Sequence, residues 1–201
     1  MPLFPEAFGA ILCLCSLICI LLVNISEPIA RGVYFIEINF SDYNYKVGLW
    51  GWCRHRQEVE CTQTPFASQI KPIQSQNSTS SNSTADFLDE QSTLGYLKIF
   101  NIFAALSVII VSYSVIKVIR RGTPLNNDYL KVTHFCFFSV VFLTIALIVD
   151  VSLFKSVVDD DKNIDANWGG ALWALVSAYT FMVINGGLFY LTYWFRNDNG
   201  T

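Results

Sequence analysis

The chain has 201 residues, of which 53% are hydrophobic and only 14% charged, with a formal net charge of −3. Every charge avoids four windows: Ala7 to Ser26, Ile99 to Ile116, Val132 to Val149 and Ala166 to Phe195. Soluble core helices are seldom charge-free beyond about 14 residues, whereas roughly 20 apolar residues are needed to cross about 30 Å of hydrocarbon, so these windows exclude an ordinary soluble domain. With no basic cluster longer than Arg120-Arg121, nucleic-acid binding is excluded as well.

In chain order, the first window is expected to be a retained span. Met1 to Glu6 carry no Lys or Arg, and no small-x-small cleavage site closely follows Val23. The predicted architecture is an α-helical membrane protein, a four-transmembrane-helix bundle with a small extracellular antiparallel β-sheet. Spans are expected over about 7–26, 98–119, 132–154 and 169–195. Three connections join them: an outer loop over 27–97, an inner loop over 120–131 and an outer turn over 155–168.

Orientation follows from short-loop charge. Residues 117–131 carry Lys117, Arg120, Arg121 and Lys131 against Asp128, whereas 150–165 carry five Asp and two Lys. Positive short loops stay cytoplasmic, which puts both termini inside and residues 27–97 outside. Asn77 and Asn82 begin N-x-S/T acceptor sites in that outer loop, and Asn39 begins a third. Residues 68–84, dominated by Ser, Thr, Gln and Asn, are expected to form a disordered, glycosylated excursion.

Before that excursion, Tyr34, Ile36, Ile38 and Phe40 recur with period two. After turn residues Ser41 to Asn44, Tyr45, Val47 and Leu49 resume the alternation. The pattern predicts an antiparallel hairpin. The second strand runs into Gly48-Leu-Trp-Gly-Trp-Cys53, with Cys61 beyond. Cys13, Cys15, Cys19 and Cys136 fall inside spans as small apolar packing residues, so only Cys53 and Cys61 face an oxidising compartment, and a disulfide between them is expected.

Gly48, Leu49, Trp50, Gly51, Cys53 and Cys61, placed after the first of four spans, resemble the outer-loop motif of the claudin superfamily. Ser26 to Phe35 and Asn167 to Trp173 make the chain most similar to the fungal branch containing the pH-response regulator PalI and the cortical proteins of eisosomes. That resemblance implies a plasma-membrane protein of the fungal cell cortex, organising membrane patches and supporting wall, stress or sporulation processes. Its partners would be the lipid bilayer and, laterally, a second copy or other cortical membrane proteins. The same resemblance admits a component of ambient-pH signalling, or a regulator of calcium influx and cell fusion during mating.

The chain has no HExxH, G-x-S-x-G, P-loop or Cys-x-x-Cys pattern, so neither an enzyme nor a cofactor is expected. His134 reads as an interfacial polar residue. His55, between Arg54 and Arg56, reads as an exposed loop histidine and is the one candidate pH sensor. Asp159 to Asp161 with Asp165 read as an acidic turn lacking the spaced ligands of a calcium loop. Asp150 is expected to reach headgroup water. Asn101 and Asn185 are expected to form hydrogen bonds between helices. Gly170, Ala174 and Ala178, every fourth residue, are expected to form a smooth face for close helix packing.

Overall fold

The computed structural model describes residues 4–27, 29–30, 32–39, 44–55, 59–63, 99–121, 125–159 and 165–198. Four helices, α1 (Phe4–Asn24), α2 (Ile99–Arg120), α3 (Asn126–Asp159) and α4 (Gly170–Asp198), accompany five strands, β1 (Ile36–Asn39), β2 (Asn44–Val47), β3 (Gly51–His55), β4 (Val59–Gln63) and β5 (Asp165–Trp168). All four helices are long and apolar enough to cross a membrane. The chain divides into two compact units. One is helical, formed by Met1–Leu22, Phe100–Ile145 and Trp173–Thr201, and the other carries the sheet, formed by Val23–Ile99 and Ala146–Leu172.

In the helical unit the outward surface is the apolar one: Ile11, Leu14, Phe137, Trp173 and Tyr190 are exposed. Lipid rather than water is the solvent that such a surface suits. Buried positions recur at alternating spacings of three and four residues. On α2 they are Asn101, Ala104, Val108, Val111, Val115 and Val118. On α4 they are Leu175, Ala178, Met182, Asn185 and Phe189. This alternation is the seam of helices packed knobs into holes.

The expected Gly170–Ala174–Ala178 face is not that seam. Ala178 is buried, but Ala174 is only half-buried, and a Cβ added at Gly170 would meet nothing within 4 Å. A strict four-residue step drifts around a helix of 3.6 residues per turn, so Gly170 and Ala174 fall off the face that Ala178 shares. Close approach occurs instead at Gly9, where a Cβ would lie 2.6 Å from the Phe189 ring, and at Gly186, where it would lie 3.2 Å from Cys136 Cβ.

Polar side chains cross-link the seam. Asn185 Nδ2 donates to Cys13 Sγ at 3.0 Å and lies 3.8 Å from Cys136 Sγ, tying α4 to α1 and α3. Ser16 donates to the Ala178 carbonyl at 3.1 Å, and the Ser107 and Ser139 hydroxyls pair at 2.9 Å. Near the start of α3 the buried Tyr129 hydroxyl donates to Glu6, while the Arg196 guanidinium sits 4.7 Å over the Tyr129 ring.

The third helix begins at Asn126, about six residues before the expected span, because Asp128 caps it: its carboxylate accepts the Leu125 amide at 3.3 Å and both hydrogen bonds of Arg121 at 2.8 Å. At 34 residues it is about 51 Å long, well beyond a hydrocarbon core. Asp150, expected to reach headgroup water, is 2% exposed and therefore enclosed by protein.

The sheet is antiparallel throughout, in the order β4-β3-β2-β1-β5. The predicted hairpin is β1–β2, with Ile36 opposite Val47 and Ile38 opposite Tyr45, all four buried on one face. On the other face Glu37 opposes Lys46, and the Tyr34 hydroxyl donates to Glu37 at 3.0 Å. Burial, together with the Glu37 carboxylate, raises the Tyr34 phenol above its ordinary pKa. β5 was not anticipated. Its four residues, Asp-Ala-Asn-Trp, alternate polar and apolar over too short a run to mark a strand, and it is built by pairing with β1, Trp168 opposite Ile36 and Ala166 opposite Ile38.

Candidate functional site: the latch on the exit of the first helix

The motif residues converge on the chain leaving α1. There the backbone turns through Ser26, Glu27, Ile29 and Ala30, with the Ile29 amide donating to the Ser26 carbonyl and the Ala30 amide to that of Ile25. Glu27 then closes a wider loop, its amide donating to the Val33 carbonyl at 2.7 Å. Its carboxylate Oε1 accepts the Gly32 amide at 2.8 Å. Gly32 has φ +91°, a left-handed conformation that glycine adopts without steric cost.

Each motif residue engages this turn in its own way. The Leu49 amide donates to Ser26 Oγ at 2.9 Å, and the Trp50 indole donates to the Asn24 carbonyl. The Gly48 amide donates to Gly51, folding the motif back on itself. Gly48 also lies against Glu27 so closely that a Cβ would sit 2.2 Å from the Glu27 carbonyl oxygen. No other residue fits there without moving backbone. Leu49 is buried, so the segment that carries the motif is anchored by apolar burial as well as hydrogen bonds.

Cys53 and Cys61 stand opposite each other on β3 and β4 and form the expected disulfide. Cys53 is 0% exposed and Cys61 is exposed. Glu27, also 0% exposed, places Oε2 2.8 Å from Cys53 Sγ. The ligand atoms of Glu27, Cys53 and Cys61 lie within 4.8 Å of one another, but with both sulfurs joined the group has only a carboxylate to offer a metal ion.

A second close approach completes the sheet unit at the entry to α4. The Gly169 amide donates to the Phe35 carbonyl at 2.7 Å and the Ala171 amide to the Tyr34 carbonyl at 3.0 Å, and a Cβ on Gly169 would collide with the Tyr34 backbone.

The remaining candidates scatter. His55 is not on an exposed loop but ends β3, half-buried, with Asn44 and Val59 opposite it and its Nε2 without a hydrogen-bond partner among the described residues. His134 is exposed on α3. Asn39 ends β1 opposite Asn44 and Asp165. Asn77, Asn82, the 68–84 stretch, Asp160 and Asp161 lie outside the described residues. The sequence reading missed Ser26, Glu27 and Gly32 as latch residues. The available signal was a glutamate directly after a charge-free window, where a charge must either reach water or find a partner.

Comparison with known proteins bears on the whole of this arrangement. The model of the SUR7/PalI family matches residues 5–185, from the first helix into the last. No curated protein matches the chain.

Proposed function

Because the chain belongs to the SUR7/PalI family, and is thus a multi-pass membrane protein with four candidate spans, we propose that it is a non-enzymatic organiser of the fungal plasma membrane. In this reading it sits at the cell cortex with both termini cytoplasmic and the sheet outside. There it gathers into membrane patches of the eisosome kind that support wall, stress and sporulation processes.

The observation that carries the reading is the latch. Its hydrogen bonds tie the motif to the chain leaving α1 and its disulfide ties β3 to β4, so the chemistry of the motif is spent on shaping an outer surface rather than on a reaction. The apolar helix surfaces supply the lateral face along which copies or other cortical membrane proteins would associate.

Fluorescent tagging of the full chain tests this. Static cortical patches that disperse when Gly48→Leu opens the latch are the expected result. A uniform or endosome-cycling signal would overturn it in favour of a pH-signalling component, and recruitment to mating contacts in favour of a regulator of calcium influx and fusion.

A further inference from the structure

One polar side chain from each of the four helices meets in the seam of the helical unit. Cys13 of α1 accepts a hydrogen bond from Asn185 Nδ2 of α4 at 3.0 Å and is also hydrogen-bonded to Ser112 of α2, while Cys136 of α3 lies 3.8 Å from the same nitrogen. Both sulfurs are therefore gathered around one atom. Cys13 is 2% exposed, and Cys136 and Asn185 are 0% exposed. Gly186 brings α4 against Cys136, and Gly9 brings α1 against Asn185, so the helices close tightly on the group. Asn185 Oδ1 is nevertheless buried with no hydrogen-bond partner among the described residues. Close packing accounts for small side chains in a seam, but not for an amide carried into it with its oxygen unused.

We propose that Cys13 and Cys136 are the two sulfur ligands of a site for a soft monovalent metal ion, copper(I), with the Asn185 side chain as supporting donor. Soft sulfur ligands suit copper(I). Structural zinc takes four Cys or His ligands, and among the described residues no third Cys, His or carboxylate joins this pair. Charge also balances. The ion brings one positive charge and displaces one thiol proton, so one sulfur binds as thiolate and the other as thiol, and the seam stays neutral as an apolar interior requires. Turning the Asn185 amide over about its terminal torsion puts Oδ1 where Nδ2 now faces the sulfurs, and the orphaned oxygen gains a partner. The bound ion joins α1 and α3 through the two sulfurs and α4 through the amide. This inference depends neither on cortical patch formation nor on the latch.

The test titrates the purified full chain in detergent micelles, its Cys53–Cys61 bridge intact, with copper(I) under anaerobic conditions against a chromophoric copper(I) chelator. One ion per chain is expected, with two sulfur neighbours by X-ray absorption and a raised unfolding midpoint. Cys13→Ser and Cys136→Ser are each expected to weaken binding about a hundredfold, and Asn185→Leu about tenfold. Cys15→Ser with Cys19→Ser keeps both ligands and is expected to bind as the unaltered chain does. Retention indifferent to Cys13→Ser and Cys136→Ser, loss on removing Cys15 and Cys19, or zinc(II) held in preference to copper(I) would overturn the proposal. The unaltered chain decides the matter even where a variant fails to fold, because no retained copper, or a copper ion with fewer than two sulfur neighbours, overturns it as well.

Discussion

At the scale of single residues, the motif reads as a set of requirements imposed by the turn after α1. Gly48 has no room for a side chain because the Glu27 backbone occupies it, and the obstacle is backbone rather than a movable side-chain tip. Gly48→Ala is therefore expected to destabilise the sheet unit by about 3 kcal/mol or more, read as a lowered unfolding midpoint in micelles. Ser26→Ala leaves the buried Leu49 amide without its acceptor and is expected to cost about 1 to 3 kcal/mol by the same measurement. Tyr34 gives a pH signature. Its phenol is raised by burial and by Glu37, so it contributes stability that is complete below the unfolded pKa of about 10 and is lost as pH climbs through the folded value. Denaturation measured from pH 9 to 12 is expected to show a steeper loss for the unaltered chain than for Tyr34→Phe, and parallel curves would contradict the assignment.

At the scale of elements, what the sequence made legible followed from strong periodic signals. Charge-free windows located all four helices, and the alternation from Tyr34 to Leu49 located β1 and β2 with the correct buried face. β5 escaped because an alternation of only four residues, running straight into a charge-free window, is too short to stand out and becomes a strand through pairing with β1. The start of α3 was set by capping at Asp128, a local hydrogen-bond event invisible to hydropathy. The packing face was misplaced because small residues at every fourth position look alike whether they meet protein or lipid, and only the seam through Leu175, Ala178 and Met182 distinguishes them. Paired substitutions check the seam. Gly9→Val drives a side chain into Phe189 and Asn185 and is expected to cost about 1 to 3 kcal/mol, whereas Gly170→Ala, with open space around it, is expected to stay within about 0.5 kcal/mol. Equal effects in a micelle unfolding assay would contradict the placement. At the disulfide, Cys53→Ser with Cys61→Ser is expected to cost about 2 to 3 kcal/mol for so short a closed loop.

At the scale of the whole molecule, the chain is a four-span protein of the SUR7/PalI family. The proposed orientation has its own check: Asn77→Gln with Asn82→Gln is expected to remove a glycosidase-sensitive mass shift, and its removal by Asn199→Gln instead would invert the topology. The central claim is narrower and structural, namely that the Gly48-to-Cys53 segment is bonded to the exit of α1 through Ser26 and Glu27. Amide hydrogen exchange on the full chain in lipid nanodiscs addresses it directly. Leu49 and Gly32 are expected to exchange slowly in the unaltered protein, and Ser26→Ala is expected to release Leu49 while Gly32, held by Glu27, stays protected. A Leu49 amide that exchanges at the rate of an open loop in the unaltered chain would contradict the latch.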